Sequence, residues 1–345
     1  MFNYEEKLYK SNLEVRYVLV NGKYNREHLV IVFSGFNPPH EDKQHSYNYI
    51  KSLEGIDCNK LFILDSFGHR GCYYLGENMD LVFETSVMSL ITHISRKLNV
   101  GWQEIIMVGS SKGGSAALYL GLKYNVTYII SGVPQIQIAN FLIEENIDTA
   151  KYILGQQIEV KNINTLNSII FNQLNKEIFS RIYLLTSEND SQFNSHIVPF
   201  INVLKERNII FNLTINNDMK CHDEIDKFFP TYLIKNIFKI IYGIEIIKCR
   251  IINVDKYNAL IRFELIGKIN DILIKYIFCD YDNNIQEYIT NKQECHIQTK
   301  NPSLYVITIQ VYKDDNKIFS KEIGKILLGV DFDKEFNGIM YNMLI

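Results

Sequence analysis

The chain has 345 residues, of which 47% are hydrophobic and 12% aromatic, and its formal net charge is -3. A chain of this length can bury a large core and exceeds the usual size of one domain, so two domains are expected. The slightly acidic balance, without a local run of Lys and Arg, argues against nucleic acid as a partner.

The segment up to residue 243 alternates short β-branched runs with longer helical patterns, which predicts a mostly parallel sheet covered by helices. The first two runs, residues 13–20 and 28–33, flank Asn21-Gly22 and are expected to form a hairpin. Further strands are predicted at residues 60–64, 104–108, 126–130, 181–186 and 209–215. Helices are predicted at residues 80–98, 113–123, 165–175, 193–207 and 222–240.

The pattern changes after Gly243. Short alternating segments follow, separated by clusters of Asn, Asp and Lys; examples are residues 259–265, 272–279 and 304–312. Such segments, with turn signals at this spacing, predict an antiparallel β-sandwich. We therefore expect a β-rich accessory domain over residues 244–345.

The stretch Gly109-Ser110-Ser111-Lys112-Gly113 lies between a predicted buried strand and a predicted helix. It matches G-x-S-x-G, in which small neighbours allow a tight turn that projects the central serine as a nucleophile. A phosphate-binding loop fits less well, because Lys112 precedes the glycines and no Ser or Thr follows it directly. An ordinary glycine turn with surface serines is the other alternative.

Two later loops carry possible partners for Ser111, in the order serine, acid, histidine that α/β-hydrolase triads follow. Glu188 and Asp190 come after one predicted strand, and His222 comes after the next. We favour Asp190 as the acid because a turn beyond the strand can aim its short side chain at an imidazole, and Glu188 is the alternative acid. All three also fit a role as ordinary solvated loop residues.

The remaining histidines are weaker candidates for the base. Those before Ser111 have the wrong chain order, and His196 falls within a predicted helix. His222 is therefore predicted to be the general base.

Acyl transfer by a serine also needs two N–H donors for the developing oxyanion. The first is expected from Lys112, which follows the nucleophile, and the second from Phe36, in the loop after an early strand. Gly35 lets the backbone of that loop approach the substrate. The same loop also fits a proline-bounded turn without a functional role.

The cysteines and apolar segments indicate the compartment. Six cysteines are scattered without a CxxC pair, which is typical of reduced thiols and gives no metal site. The N-terminal residues lack the basic flank and apolar stretch of a signal peptide. The most apolar region is interrupted by Lys239 and Glu245, so no transmembrane segment is expected. These features predict a cytoplasmic protein with no bound cofactor.

With these residues identified, the sequence resembles a bacterial family of α/β-hydrolase-like proteins. That family includes the Ser-triad component of the accessory Sec system and capsular-polysaccharide biosynthesis proteins of the XcbB/CpsF type. The resemblance rests on GSSKGGSAALY at residues 109–119 and on DSFGHRGCYYLG at residues 65–76. It covers roughly residues 28–240 and is most specific at the first motif.

The resemblance implies an α/β-hydrolase-like catalytic domain over residues 1–243, acting on a bacterial surface carbohydrate such as a capsular polysaccharide or a glycoprotein glycan. The implied reaction is O-acetyl transfer through acyl-Ser111, with acetyl-CoA as the acyl donor. Arg70, Tyr73 and Tyr74 would line the substrate pocket. Peripheral association with a capsule or secretion assembly is also implied.

Two other functions are compatible with the same residues. A carboxylesterase or deacetylase differs only in passing the acyl group to water. A non-catalytic component of a capsule or glycoprotein export assembly would not need the Ser111 hydroxyl.

Overall fold

The structure is a computed structural model, and it describes residues 4–36 and 45–329. The chain forms two compact units. The first comprises residues up to Ile50 together with Cys58–Pro230, and the second comprises Lys51–Asp57 together with the chain from Thr231 onward.

The first unit is built on one eight-stranded sheet. Its strands are β1 (Glu6–Lys10), β2 (Glu14–Val20), β3 (Leu29–Phe33), β4 (Asn59–Ile63), β5 (Ile105–Ser110), β6 (Tyr128–Gly132), β7 (Arg181–Thr186) and β8 (Phe211–Ile215). They are arranged in the order β1-β2-β4-β3-β5-β6-β7-β8. The pairs β1–β2 and β2–β4 are antiparallel, and the others are parallel.

Eight α-helices occur in the described part of the chain. They are α1 (Ile50–Leu53), α2 (Val82–Leu98), α3 (Lys112–Lys123), α4 (Ile138–Glu145), α5 (Ile147–Leu154), α6 (Val160–Ser168), α7 (Val198–Glu206) and α8 (Ile225–Tyr242). The sequence did not predict α4 and α5, because a helix of eight residues is too short to show a clear apolar period. Asn146 separates these two helices and caps α5, accepting a hydrogen bond from the Thr149 N–H at 3.3 Å.

The predicted opening hairpin is wrong. Strand β4 lies between β2 and β3, pairing antiparallel with the first and parallel with the second. The Asn21-Gly22 loop instead folds around the start of β4, where the Asn59 side chain accepts from the Gly22 N–H and donates to the carbonyls of Arg26 and His28. The Asn59 side chain thus stabilises the connection between β2 and β3, and β4 lies between these two strands.

The central strands β3, β4 and β5 are buried along their whole length. Both faces of a parallel sheet are normally covered by helices, which explains their continuous apolar sequence. Because parallel strands end at the same edge, the loops after β3, β5, β6, β7 and β8 come together there.

The second unit contains two antiparallel sheets. Its strands are β9 (Ile244–Asn253), β10 (Asn258–Gly267), β11 (Ile272–Cys279), β12 (Ile285–Thr290), β13 (Glu294–Gln298), β14 (Ser303–Lys313) and β15 (Asn316–Leu328). The sheet orders are β13-β10-β9 and β12-β11-β14-β15. Buried residues alternate along most strands, and Phe263 of one sheet stacks on Phe319 of the other with ring centroids 6.4 Å apart. The predicted fold class, α/β followed by antiparallel sheets, is confirmed.

Candidate active site

The turn between β5 and α3 holds Ser111 in a strained backbone conformation, with φ 52° and ψ -125°. A non-glycine residue rarely adopts a positive φ, and such strain is found mainly where a side chain must be held for function. A Cβ atom on Gly109 would lie 2.4 Å from the Gly113 carbonyl, and one on Gly113 would lie 2.4 Å from the Phe33 carbonyl oxygen. The glycines therefore let strand and helix approach closely enough to form this turn.

Three residues predicted from separate loops meet at this turn. The Ser111 Oγ lies 2.9 Å from Nε2 of His222, and Nδ1 of His222 lies 2.9 Å from Oδ2 of Asp190. The Asp190 side chain is 2% exposed and that of His222 is 18% exposed. Since the carboxylate accepts the Nδ1 proton, Nε2 is left as the acceptor for the Ser111 hydroxyl.

The alternative acid, Glu188, lies elsewhere. It is exposed, and its carboxylate accepts a hydrogen bond from the side chain of Asn217 at 3.0 Å. Asp190 is therefore the carboxylate that contacts the imidazole of His222, and the proposal of Glu188 as the acid needs correction.

Gln135, in the loop after β6, also contacts the proposed nucleophile. Its amide nitrogen lies 3.0 Å from Ser111 Oγ and 2.9 Å from Oε1 of Gln192, and its side chain is fully buried. Gln135 cannot be identified from the sequence, because a single glutamine in a loop belongs to no recognised motif.

His196 contacts the backbone of the same loop. The sequence predicts a helix at this position and does not indicate a role for the imidazole. It is buried, and its Nδ1 accepts hydrogen bonds from the backbone N–H groups of Ile136 and Gln137, at 3.2 and 3.1 Å. Burial lowers the pKa of His196 to about 4; the Asp190 charge partly offsets this effect and His222 adds to it. The neutral imidazole thus stabilises the segment that carries Gln135.

This arrangement predicts a loss of stability in mild acid. The folded pKa of His196, about 4, lies below its ordinary value of 6.5, so the unfolded chain binds the proton more tightly. The neutral His196 makes its full contribution to the free energy of unfolding above about pH 6.5. This contribution declines by about 1–3 kcal/mol as the pH falls towards about 4. Urea unfolding at about pH 7.5 and about pH 5 measures this change.

The matched variant is His196→Asn, which keeps a side-chain acceptor but does not titrate. It should lose less stability than the wild type over the same pH interval. An identical pH dependence in the two proteins would contradict the assignment of a neutral buried His196.

Lys112 forms a buried ion pair beneath the turn. Its Nζ lies 2.7 Å from Oδ2 of Asp65, and the two side chains are 2% and 0% exposed. Asp65 also accepts from the Cys72 N–H at 2.9 Å. A Cβ on Gly71 would lie 2.2 Å from the Lys112 Nζ, so a glycine is needed there. The ion pair connects the start of α3 to the segment 65–76.

The loop after β3 is held by two side chains. The Ser34 N–H donates to the Tyr74 hydroxyl at 2.6 Å, and the Gly35 N–H donates to Oδ1 of Asn48 at 2.9 Å. These bonds orient the backbone up to Phe36, the predicted second oxyanion donor. Lys112 is the first residue of α3, where a helix has no internal partner for its N–H groups. Their roles as oxyanion donors stay predictions.

The expected substrate contacts of Tyr73 and Tyr74 need correction. Both side chains are buried, at 1% and 0% exposure. The Tyr74 hydroxyl donates to the Ile63 carbonyl at 2.8 Å, and the Tyr73 hydroxyl donates to Oε1 of Gln135 at 3.4 Å. Large aromatic rings with satisfied hydroxyls belong to the core here, so these residues support the site without lining it.

A cleft of about 610 Å³ opens above Ser111 and His222. Arg70 and Gly35 line it, and the Arg70 guanidinium lies over the Phe36 ring, 5.0 Å from its centroid. Burial lowers the pKa of Arg70, which indicates that its charge is partly removed from water. Among the described residues of the cleft wall, the acidic side chains are those of Glu145, Asp223 and Asp226.

The serine beside Ser111 is part of another hydrogen-bonded chain. Ser110 Oγ contacts the Tyr49 hydroxyl, which donates to Oδ1 of Asp226 at 3.1 Å. Burial, together with the Asp226 charge, raises the pKa of Tyr49. The phenol stays neutral, so this chain fixes the Ser110 side chain to the first turns of α8.

Solved structures of similar fold include a capsule O-acetyltransferase of Neisseria meningitidis serogroup A. The TM-score is 0.60 at 24% identity, and the match covers 69% of this chain and 96% of that one. A histidine-to-alanine variant of that enzyme has been solved in complex with CoA. No protein-family model matches the chain, and no curated protein matches it in sequence.

Two further structures are similar. The Gap123 glycosylation-associated complex of Streptococcus agalactiae has a TM-score of 0.55 at 16% identity, covering 69% of this chain and 47% of that one. FphF, a fluorophosphonate-binding serine hydrolase of Staphylococcus aureus, has a TM-score of 0.53 at 11% identity, covering 69% and 98%. These neighbours agree with the resemblance noted in the sequence, and they confirm the α/β-hydrolase-like fold.

Two further features bear on the chemistry and location of the protein. Over residues 4–36 and 45–329, no cluster of three or more His, Cys, Asp or Glu side chains could bind a metal ion. Within the same ranges, none of the helices combines the length and the apolar character needed to cross a membrane.

Proposed function

We propose that the protein is a serine-dependent O-acetyltransferase that modifies a bacterial surface carbohydrate, such as a capsular polysaccharide or a glycoprotein glycan. Ser111 is the nucleophile, His222 the general base and Asp190 the acid that orients the imidazole. Residues 1–243 act as the catalytic domain and residues 244–345 as an accessory domain. The protein acts in the cytoplasm, in peripheral association with a capsule or secretion assembly.

The observation that carries the proposal is the pair of 2.9 Å contacts that joins Ser111, His222 and Asp190 at the strained turn. A strained serine within reach of an imidazole, itself bound to a buried carboxylate, is the arrangement that activates a hydroxyl for acyl transfer. The fold shared with a capsule O-acetyltransferase, which has been solved with CoA, supports the choice of reaction and donor.

In the first half-reaction, the Ser111 proton passes to Nε2 of His222 and Oγ forms a bond to the acetyl carbon. The N–H groups of Lys112 and Phe36 bind the oxyanion, and His222 returns the proton to the departing thiolate. In the second half-reaction, His222 takes a proton from a sugar hydroxyl, whose oxygen bonds to the acetyl carbon. The bond from Ser111 Oγ to that carbon breaks, and Oγ regains its proton from His222. Asp190 stabilises the imidazolium in both halves.

Acetyl-CoA supplies the acetyl group. Its acyl arm needs a cleft and its phosphates need a cation. The volume of the cleft lies within the range of small-molecule sites, and Arg70 provides a positive charge on its wall. Because the other charged side chains among the described residues of the cleft wall are acidic, Arg70 is the residue best suited to bind an anionic group of donor or acceptor.

The test follows the release of CoA thiol from acetyl-CoA, with and without a panel of capsular oligosaccharides. A transferase releases thiol faster when the matching sugar is present, and the sugar gains the mass of an acetyl group. Release at one rate regardless of sugar, with free acetate as the product, would indicate an esterase instead. Absence of release with every acceptor would contradict the proposed transfer of an acetyl group from acetyl-CoA.

A further inference from the structure

The resting hydroxyl of Ser111 has two polar neighbours. His222 Nε2 accepts its proton, and the Gln135 side-chain amide donates to its oxygen at 3.0 Å. A serine oxygen carries two lone pairs, so one remains to attack an acyl carbon in the cleft. The amide therefore restricts the rotation of the hydroxyl and directs its proton onto the imidazole.

The orientation of the Gln135 amide follows from its partners. Its oxygen accepts from the Tyr73 hydroxyl at 3.4 Å, while the single hydrogen of the Ser115 hydroxyl is donated to the Gln135 backbone carbonyl. Its nitrogen has two hydrogens, which reach Ser111 Oγ and Oε1 of Gln192. Both ends of the amide are thereby satisfied, and the donor group faces the nucleophile.

The backbone around Gln135 is held from three sides. The Ser115 hydroxyl donates to the Gln135 carbonyl at 2.8 Å, and His196 accepts from the next two N–H groups. Val133 has φ 38°, a conformation that is unfavourable for a β-branched residue, and its N–H donates to the Leu185 carbonyl at 2.9 Å. Preorganisation of this kind lets a donor stabilise charge without rearranging during the reaction.

We propose that Gln135 is a catalytic residue, whose amide N–H stabilises negative charge on Ser111 Oγ as the Ser111–acyl bond forms and breaks. In acylation, the O–H bond breaks towards His222 and the Oγ electron pair bonds to the acyl carbon. In transfer, Oγ leaves with that pair and regains a proton from His222. Gln135 keeps both of its hydrogens throughout. This inference rests on the proposed role of Ser111 as nucleophile.

The test measures the second-order rate of phosphonylation of Ser111 by a fluorophosphonate, followed by intact mass. Gln135→Met removes the donor, and we expect roughly 10- to 100-fold slower labelling. Gln137→Met is the matched control, because Gln137 lies two residues further on and its amide donates to the Ser195 carbonyl outside the cleft. It should be labelled at the wild-type rate.

A second variant separates donation from packing. Gln135→Glu keeps the shape of the side chain, but as a carboxylate it has no proton to donate. The labelling rate of Gln135→Glu, divided by that of the wild type, should rise as the pH is lowered, because the protonated carboxyl group has a hydrogen to donate. The same ratio for Gln135→Met should not depend on pH.

The outcomes are distinct. If wild type is labelled on Ser111 while Gln135→Met reacts at the same rate, the role of Gln135 is overturned and that of Ser111 stands. A pH-independent ratio for Gln135→Glu would also overturn it, leaving only a packing role. If the wild type forms no adduct on Ser111, both proposals fail.

Discussion

The Ser111→Ala variant is expected to transfer acetyl groups roughly 10⁴- to 10⁶-fold more slowly than the wild type. The substitution removes the oxygen that bonds to the acyl carbon, and the neighbouring Ser110 hydroxyl is bound to Tyr49 instead of to His222. The fold should persist, since alanine is no larger than serine and occupies the same backbone conformation. The measurement is the initial rate of acetyl transfer, with unfolding in urea as the check on folding.

Ser168→Ala serves as the control for this prediction. It is the same chemical change at a half-buried position of α6 outside the cleft, where the hydroxyl bonds to carbonyls of its own helix and accepts from the Asn172 side chain. A Ser111→Ala protein with wild-type activity would contradict the mechanism. Full complementation of a deletion strain by Ser111→Ala would support a non-catalytic role in an export assembly.

Lys112→Met is expected to lower the free energy of unfolding by about 3–5 kcal/mol, because it leaves the buried Asp65 carboxylate without its cation. Removing a charge from water is costly, and the N–H and thiol of Cys72 are neutral donors that cannot offset that cost. The variant should also lose activity, since the backbone of Lys112 and the segment 65–76 are held together by this pair. Urea unfolding at neutral pH measures the change in stability.

Lys227→Met is the comparison for the ion pair. Lys227 pairs with Glu224 at 2.8 Å, but its side chain is 69% exposed, so the loss should be small. The double variant Lys112→Met, Asp65→Leu removes both buried charges and should recover part of the lost stability. If Lys112→Met were as stable as Lys227→Met, the claim that the Lys112–Asp65 ion pair stabilises the fold would be contradicted.

Several features of this protein follow from sequence alone, because they depend on neighbouring residues or on chain order. Gly109 and Gly113 indicate a tight turn, because only small residues fit at these positions. Asp190 and His222 follow strands in the expected order, and parallel strands bring their ends to the same edge of the sheet. In the structure, His222 contacts Ser111 and Asp190 contacts His222.

Other features depend on contacts between distant segments and leave no local pattern. Gln135 and His196 contact neighbours that are 20 or more residues away. The motif suggests that Tyr73 and Tyr74 line a pocket, but both side chains are buried in the structure. The position of β4 between β2 and β3 likewise brings the Asn59 side chain into contact with the connection between those strands, a contact between distant segments that no hairpin rule takes into account.

Intact-mass analysis after treatment with a fluorophosphonate tests the central claim most directly. The account predicts one adduct, located on Ser111, that does not form in Ser111→Ala and forms far more slowly in His222→Ala. An adduct that persists in Ser111→Ala, or labelling of His222→Ala at the wild-type rate, would contradict it.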